Sequence, residues 1–203
     1  MGRPGRAPGV ETSEAAGLAR LAAEAPPVAG RPLYGALRSL AWPQDDHLAL
    51  WHAATLLREH RGDGHVAALT AEGLDGCEAH VTLAATGSAS RQTLQSNRKW
   101  SDEEWAAAQT RLADRGWLHG GDPPTPTEQG RAGRQRIEDR TDALSTYPYE
   151  PLGEDGCTRL RALGRTFSKA VLGAGQLQLL RQLDRIDRGA AAKDRHPADV
   201  ARA

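Results

Sequence analysis

The stretch SDEEWAAAQTRLADRGWLHGGDPPTPTEQG, residues 101–130, restricts the fold more than any other part of the chain. Ser101 followed three residues later by Glu104 is a capping box, Trp105, Ala108 and Leu112 recur at helical spacing, and Gly116 stands where a helix stops in a left-handed residue. Trp117-Leu118 then predicts a short strand, Gly120 to Pro124 a turn, and Thr125-Pro126-Thr127 a returning strand. A long helix follows from near Thr127, with Gly130 and Gly133 weakening its first turns. Helix, strand, turn, strand and helix is the order of a winged helix.

The rest of the chain supplies little for strands. Apolar residues make up 39% of the 203 positions, Ala and Leu dominate them, and there is one Phe, so the expected fold is mainly α with a short two-stranded wing. A first helix is expected over TSEAAGLARLAAEA, capped by Thr12 or Ser13 and stopped by Pro26-Pro27. A linker follows, anchored by Tyr34, Leu37, Leu40 and Trp42. Pro43 in a first turn opens a helix through QDDHLALWHAATLLREH, with Asp45 and Asp46 at its positive end and Leu50, Ala54 and Leu57 on one face.

In LREHRGDGHVAAL, residues 57–69, Gly62 is expected to end that helix and Asp63 to cap the next, which runs to Gly73. A third helix starts at Asp75, paired with Glu78 in a capping box, and reaches Gly87. Trp42, Trp51, Trp100, Trp105 and Trp117 are expected core anchors. Two further helices are expected downstream of Gly153, the second with Leu177, Leu180 and Leu183 on a common face suited to core or dimer packing. The organisation is thus a flexible N-terminus (1–11), a helical region (12–87), a winged helix (88–145), C-terminal helices (146–188) and a flexible tail (189–203).

Charge and cysteine content bound the function. Formal net charge is zero, so no global field draws the chain to a polyanion and any DNA contact needs a local patch. Cys77 and Cys157 are far apart and in no metal-like spacing, which fits a reduced cytoplasmic protein without a cofactor. No run approaches the ~20 apolar residues of a spanning helix, so no membrane partner is expected.

Through SDEEWAAAQTRLADRGWL and TPTEQGRAGRQRIEDRTDAL the chain resembles the winged-helix domain of MarR-type regulators, over roughly residues 88–145. It is also similar to an actinobacterial helix-turn-helix family, through RPLYGALRSLAWPQDDHLALWHAATLLREHRGDGHVAALTAEGLDGCEAHVTLAATG and WSDEEWAAAQTRLADRGWL. That likeness spans about residues 15–172. Members of the family carry a further helical half with no counterpart ahead of Glu11 here, so what that half supplies is expected either to be missing or to come from a partner.

The resemblance implies the winged-helix architecture, and the leading reading built on it is a ligand-responsive regulator that binds double-stranded DNA as a homodimer or with a heteromeric partner. Arg91, Arg98, Lys99, Arg111, Arg115, Arg131, Arg134 and Arg136 would then hold phosphates while Gln109 and Thr110 reach base edges. Against this, residues 91–140 hold nine basic and eight acidic groups, and the recognition-like helix opens on Asp102, Glu103 and Glu104.

A rival lies in the histidine-rich stretch. Glu59, His60, Asp63 and His65 are acid and base candidates for a lyase, isomerase or cyclase, or for a small-molecule-binding protein of specialised metabolism, because a carboxylate beside an imidazole fixes its tautomer. The spacings from His47 to His52 and from His60 to His65 match neither a helical metal pair nor a finger, so no metal is expected. A third reading makes the chain one subunit of a heteromeric complex.

Overall fold

The computed structural model describes residues 8–173. These form α1 (Pro8–Glu24), α2 (Pro32–Arg38), α3 (Asp46–Ala71), α4 (Gly76–Ala85), α5 (Arg91–Arg98) and α6 (Asp102–Asp114). A hairpin of β1 (Leu118–His119) and β2 (Thr125–Pro126) follows, then α7 (Glu128–Ala143), a 3-10 turn (Tyr147–Leu152) and α8 (Gly153–Gly173). The protein is mainly helical with one two-stranded antiparallel sheet among the described residues. The helix expected to carry Leu177, Leu180 and Leu183 lies outside the described residues. The chain divides into a compact unit through Gly164 and a second from Arg165, to which the end of α8 belongs.

One core cluster joins α1, α2 and α3. Ala19 and Ala23 of α1 face Ala53 and Leu56 of α3, and small side chains at helical spacing let the two axes approach closely. Tyr34 of α2 is fully buried between them. Its hydroxyl lies 2.9 Å from the Ala23 carbonyl and 3.0 Å from that of Pro26, and Arg38 donates to the carbonyls of Pro26 and Glu24. The carbonyls that α1 leaves open at its end are therefore capped from α2.

The second cluster holds Trp105, Ala108 and Leu112 of α6, Trp117, Leu118, Ile137 of α7, and Leu69 and Val81 from α3 and α4. Both expected capping boxes form, at Asp75/Glu78 and Ser101/Glu104. Gly116, at φ +72°, ends α6 with Trp117 N–H donating to Leu112 and Gly116 N–H to Ala113, and Gly73 closes α3 by the same pair of bonds. The hairpin pairs Leu118 with Pro126 and His119 with Thr125, one residue later than the expected Trp117 start.

Gly130 and Gly133 do more than weaken α7. A Cβ on Gly130 would sit 2.0 Å from the Trp117 carbonyl oxygen, and one on Gly133 would sit 2.4 Å from the Trp117 ring. Only glycine lets α7 seat this tryptophan, which is 4% exposed.

Several sequence expectations are corrected. The largest concerns LREHRGDGHVAAL: neither Gly62 ends a helix nor Asp63 caps one, because α3 runs unbroken for 26 residues through both. Tertiary packing outweighs local propensity there, as Gly64 and Asp63 receive groups from α2. The buried stripe of α3 is Ala49, Ala53, Leu56 and His60, one residue off the expected Leu50, Ala54 and Leu57. Leu50 and Leu57 flank it half-buried, and Ala54 is exposed.

α1 begins at Pro8, ahead of Thr12 and Ser13, since proline is tolerated in a first turn and Glu11 favours the positive end. Pro43 precedes α3, whose cap position is Asp45. The expected linker contains α2, with Leu40 outside it at 54% exposure. Trp51 is no core anchor but stands 70% exposed on α3.

Candidate nucleic-acid interface and a histidine-lined cavity

α6 owes its position to Trp105, Ala108 and Leu112, which turn inward and leave Glu103, Ala106, Ala107, Thr110 and Ala113 exposed. Of the acids that open this helix, two are engaged within the protein. Asp102 accepts from Gln95 at 3.2 Å and from Arg91 at 2.6 Å, and these bonds hold its carboxyl below the usual carboxylate range. Glu104 reaches back to the Ser101 amide at 2.8 Å. Glu103 has no such partner, so the acidity a polyanion would meet here is smaller than the sequence implies.

The cations divide more sharply. Arg91 also stacks over Trp105, with its guanidinium 5.6 Å from the ring. Arg111 crosses to α4, donating to Glu78 at 2.8 Å and Asp75 at 2.6 Å. Arg115 donates to the carbonyls of Gly73 and Glu72 and lies over Trp117. Arg131 donates to Pro126, Arg134 pairs with Glu138, and Arg136 joins Arg140 on Glu72. Those bonds, led by the one from Arg136, lower the Glu72 carboxyl.

Only Arg98 and Lys99, of the eight cations expected to hold phosphates, are without a protein partner among the described residues. Both are exposed at the end of α5, where Lys99 adopts φ +58° immediately before α6 begins. Gln109 is half-buried between Trp105 and the hairpin residues Asp122 to Pro124, in a cavity of about 230 Å³. Thr110 is exposed and donates to Ala106 of its own helix.

The histidine-rich stretch splits along the two flanks of α3. On one flank Asp63, 6% exposed, accepts from the Tyr34 amide at 3.0 Å. That amide lies in the first turn of α2, where Arg31 at the cap position offers no side-chain bond, so Asp63 caps a neighbouring helix. A Cβ on Gly64 would fall 2.2 Å from Arg31 Nη1, and that guanidinium donates to the carbonyls of His60 at 2.6 Å and Leu144 at 2.8 Å. The glycine and the aspartate form the seat of α2.

On the other flank Glu59, His60 and His65 come together with Ser145, Pro148 and Tyr149 around a cavity of about 660 Å³, a volume common for small-molecule sites. His60 is 3% exposed and meets the edge of the Tyr34 ring. Burial, with the Arg31 charge behind it, pushes its imidazole below the ordinary histidine value. Burial likewise lowers His65, although Glu138 opposes it, and lowers His80, whose Nδ1 accepts from Trp100. His65 Nδ1 lies 2.9 Å from Thr141 Oγ1.

Glu59 pairs with Arg58 at 3.0 Å, and Arg61 with Asp142 at 3.2 Å. His52 lies apart against Trp42, and Cys77 is a buried thiol raised by its burial. No group of three or more metal-ligating side chains occurs among the described residues.

Thr141, Ser145 and Tyr149 were not singled out by sequence reasoning. Thr141 carried a usable signal, since it continues the buried stripe Gly130, Gly133, Ile137 of α7 and is its one hydroxyl.

A short helix, a left-handed turn, a second helix and a hairpin define a helix-turn-helix protein. The chain belongs to a helix-turn-helix family, whose model matches residues 3–178. No significant match is found among curated proteins or among solved structures. Membership suggests a DNA-binding regulator, and no described helix is long and apolar enough to cross a membrane.

Proposed function

We propose that this protein is a MarR-like winged-helix regulator, in which the hairpin serves as the wing and binding to duplex DNA responds to a small molecule. The observation that carries the reading is the placement of Arg98 and Lys99. They are exposed, without a partner among the described residues, and two to three residues ahead of the Ser101 cap of α6. They would bind phosphates at the start of a helix whose outward face, beyond Glu103 in its first turn, is small and uncharged at Ala106, Ala107, Thr110 and Ala113. Such a face suits close apolar approach to a groove, with thymine methyls as natural contacts, and Thr110 as the base-reading hydroxyl.

The other arginines position the protein rather than the DNA. Arg111, Arg115 and Arg136, held on Glu78, Glu72 and backbone carbonyls, fix α3, α4, α6 and α7 relative to one another, while Arg134 pairs with Glu138 within α7. A dimer completes the proposal, because exposed Leu48 and Trp51 give α3 an apolar edge that a second copy would cover.

Fluorescence anisotropy of a duplex taken from the region upstream of the protein's own coding sequence tests this at low salt. Saturable binding that weakens steeply as salt rises is expected. Absence of binding at the lowest salt, from folded protein, would refute it.

A further inference from the structure

The cavity beside α3 is bounded by two imidazoles whose hydrogen-bonding roles can be assigned from their partners. His60 Nδ1 is sealed from solvent and has no hydrogen-bond partner. A buried N–H without an acceptor is rarer and more costly than a buried lone pair without a donor, so the ring proton belongs on Nε2. His65 has the opposite assignment. Thr141 donates its hydroxyl proton to the Ile137 carbonyl at 2.7 Å, which leaves Thr141 Oγ1 as acceptor for His65 Nδ1–H. The Nε2 of His65 then carries a lone pair.

Both rings line the same cavity. One contributes a donor and the other an acceptor. The charges around them are already matched, Glu59 by Arg58 and Arg61 by Asp142 and Glu138, so the wall offers no unpaired charge to an ionic ligand. Tyr149, 41% exposed, supplies a flat ring face, with Leu57 half-buried beside it.

We propose that this cavity binds an uncharged aromatic molecule bearing a carbonyl and a hydroxyl group at separate positions. The carbonyl accepts from His60 Nε2–H, the hydroxyl donates to His65 Nε2, and the ring rests against Tyr149. Burial keeps both imidazoles below the ordinary histidine value, which preserves the neutral donor and acceptor at neutral pH. The inference deepens the ligand-responsive part of the proposed function and rests on it only for what binding does to DNA affinity.

The test uses the full chain without DNA, so its outcome is separate from that of the DNA titration. Long-range 1H–15N spectra of the histidine rings are expected to show His60 as the Nε2–H tautomer and His65 as the Nδ1–H tautomer. On titration with 4'-hydroxyflavone, shifts at both rings are expected. Flavone, which lacks the hydroxyl, should bind about tenfold more weakly, and His65→Ala should lose a similar factor for 4'-hydroxyflavone. The anion 4-hydroxybenzoate should not bind.

The opposite tautomer at either ring overturns the proposal without any variant. So does the absence of 4'-hydroxyflavone binding at millimolar concentration, or equal affinity for flavone and its hydroxylated form.

Discussion

Around α6 most charged side chains engage one another, whereas along the middle of α3 two imidazoles each keep a nitrogen without a partner among the described residues. In the first region Arg111, Arg136 and Arg140 are held on Glu72, Glu78 and Asp75. In the second, His60 and His65 line a cavity; His65 Nδ1 is held by Thr141, and His60 Nδ1 is buried without a partner. Sequence alone weights these regions the other way. It shows a set of arginines near a recognition-like helix, and a stretch of LREHRGDGHVAAL in which every polar residue can serve as helix punctuation except the joint choice of Glu59, His60 and His65.

The largest effect that would break this contrast is at Gly130. Replacing it by Ala places a methyl group against the Trp117 carbonyl at 2.0 Å, a backbone contact that cannot rotate away. Gly130→Ala should therefore lower stability by about 3 kcal/mol in chemical denaturation, the upper end of overpacking costs. A neutral result would mean that α7 does not seat Trp117 in this way.

Arg31→Ala comes next, expected to cost about 2 kcal/mol. It removes two charge-assisted bonds, to the carbonyls of His60 and Leu144, and with them the tie between the seat of α2 and the end of α7. Denaturation of the variant beside wild type measures it. Tyr34 should also lose burial, read as a rise in its fluorescence quenching by added iodide.

The pH dependence separates the two regions by a different route. His60, His65 and His80 all have folded values below the unfolded value of 6.5. Below that pH the unfolded chain binds more protons than the folded one, so stability falls as pH drops through 6.5 toward the folded values and is fully present above it. Thermal melts between pH 8 and pH 5 should show a progressive loss that starts near 6.5. A flat profile would mean that the imidazoles are not kept neutral by burial.

The smallest expected effect is the sharpest on α3 itself. Gly62 lies inside a continuous helix, and a Cβ there meets nothing nearer than Glu59 Oε2 at 3.7 Å. Gly62→Ala should stabilise the protein by about 0.5–1 kcal/mol through helix propensity and unfolded-state entropy. Destabilisation instead would return Gly62 to the role of a left-handed helix stop.

What was legible in the sequence was whatever depends on neighbours in the chain. The capping boxes at Asp75 and Ser101, the stripe of Trp105, Ala108 and Leu112, the stop at Gly116 and the Thr127 start of α7 are all local, and all form. What stayed hidden depends on residues far apart. Asp63 looks like the cap of its own helix but caps α2, because its partner Tyr34 lies 29 positions away. Gly64, to which no local pattern assigns a role, is a space for Arg31.

The candidate site follows the same division. His60 and His65 were visible by type, but Ser145 and Tyr149, which close the cavity, come from a segment no local pattern joins to α3. The arginines were visible as a count, and only long-range pairs such as Arg136 with Glu72 reveal that most are engaged.

The central claim, that DNA is held by Arg98 and Lys99, is tested most directly by salt dependence. The logarithm of the binding constant for the upstream duplex is to be measured against the logarithm of salt concentration, for wild type and for the Arg98→Ala, Lys99→Ala double variant. Loss of two phosphate contacts per protomer should reduce the slope by about 2 in magnitude and weaken binding at every salt concentration. An unchanged slope, with wild-type affinity, would contradict the account.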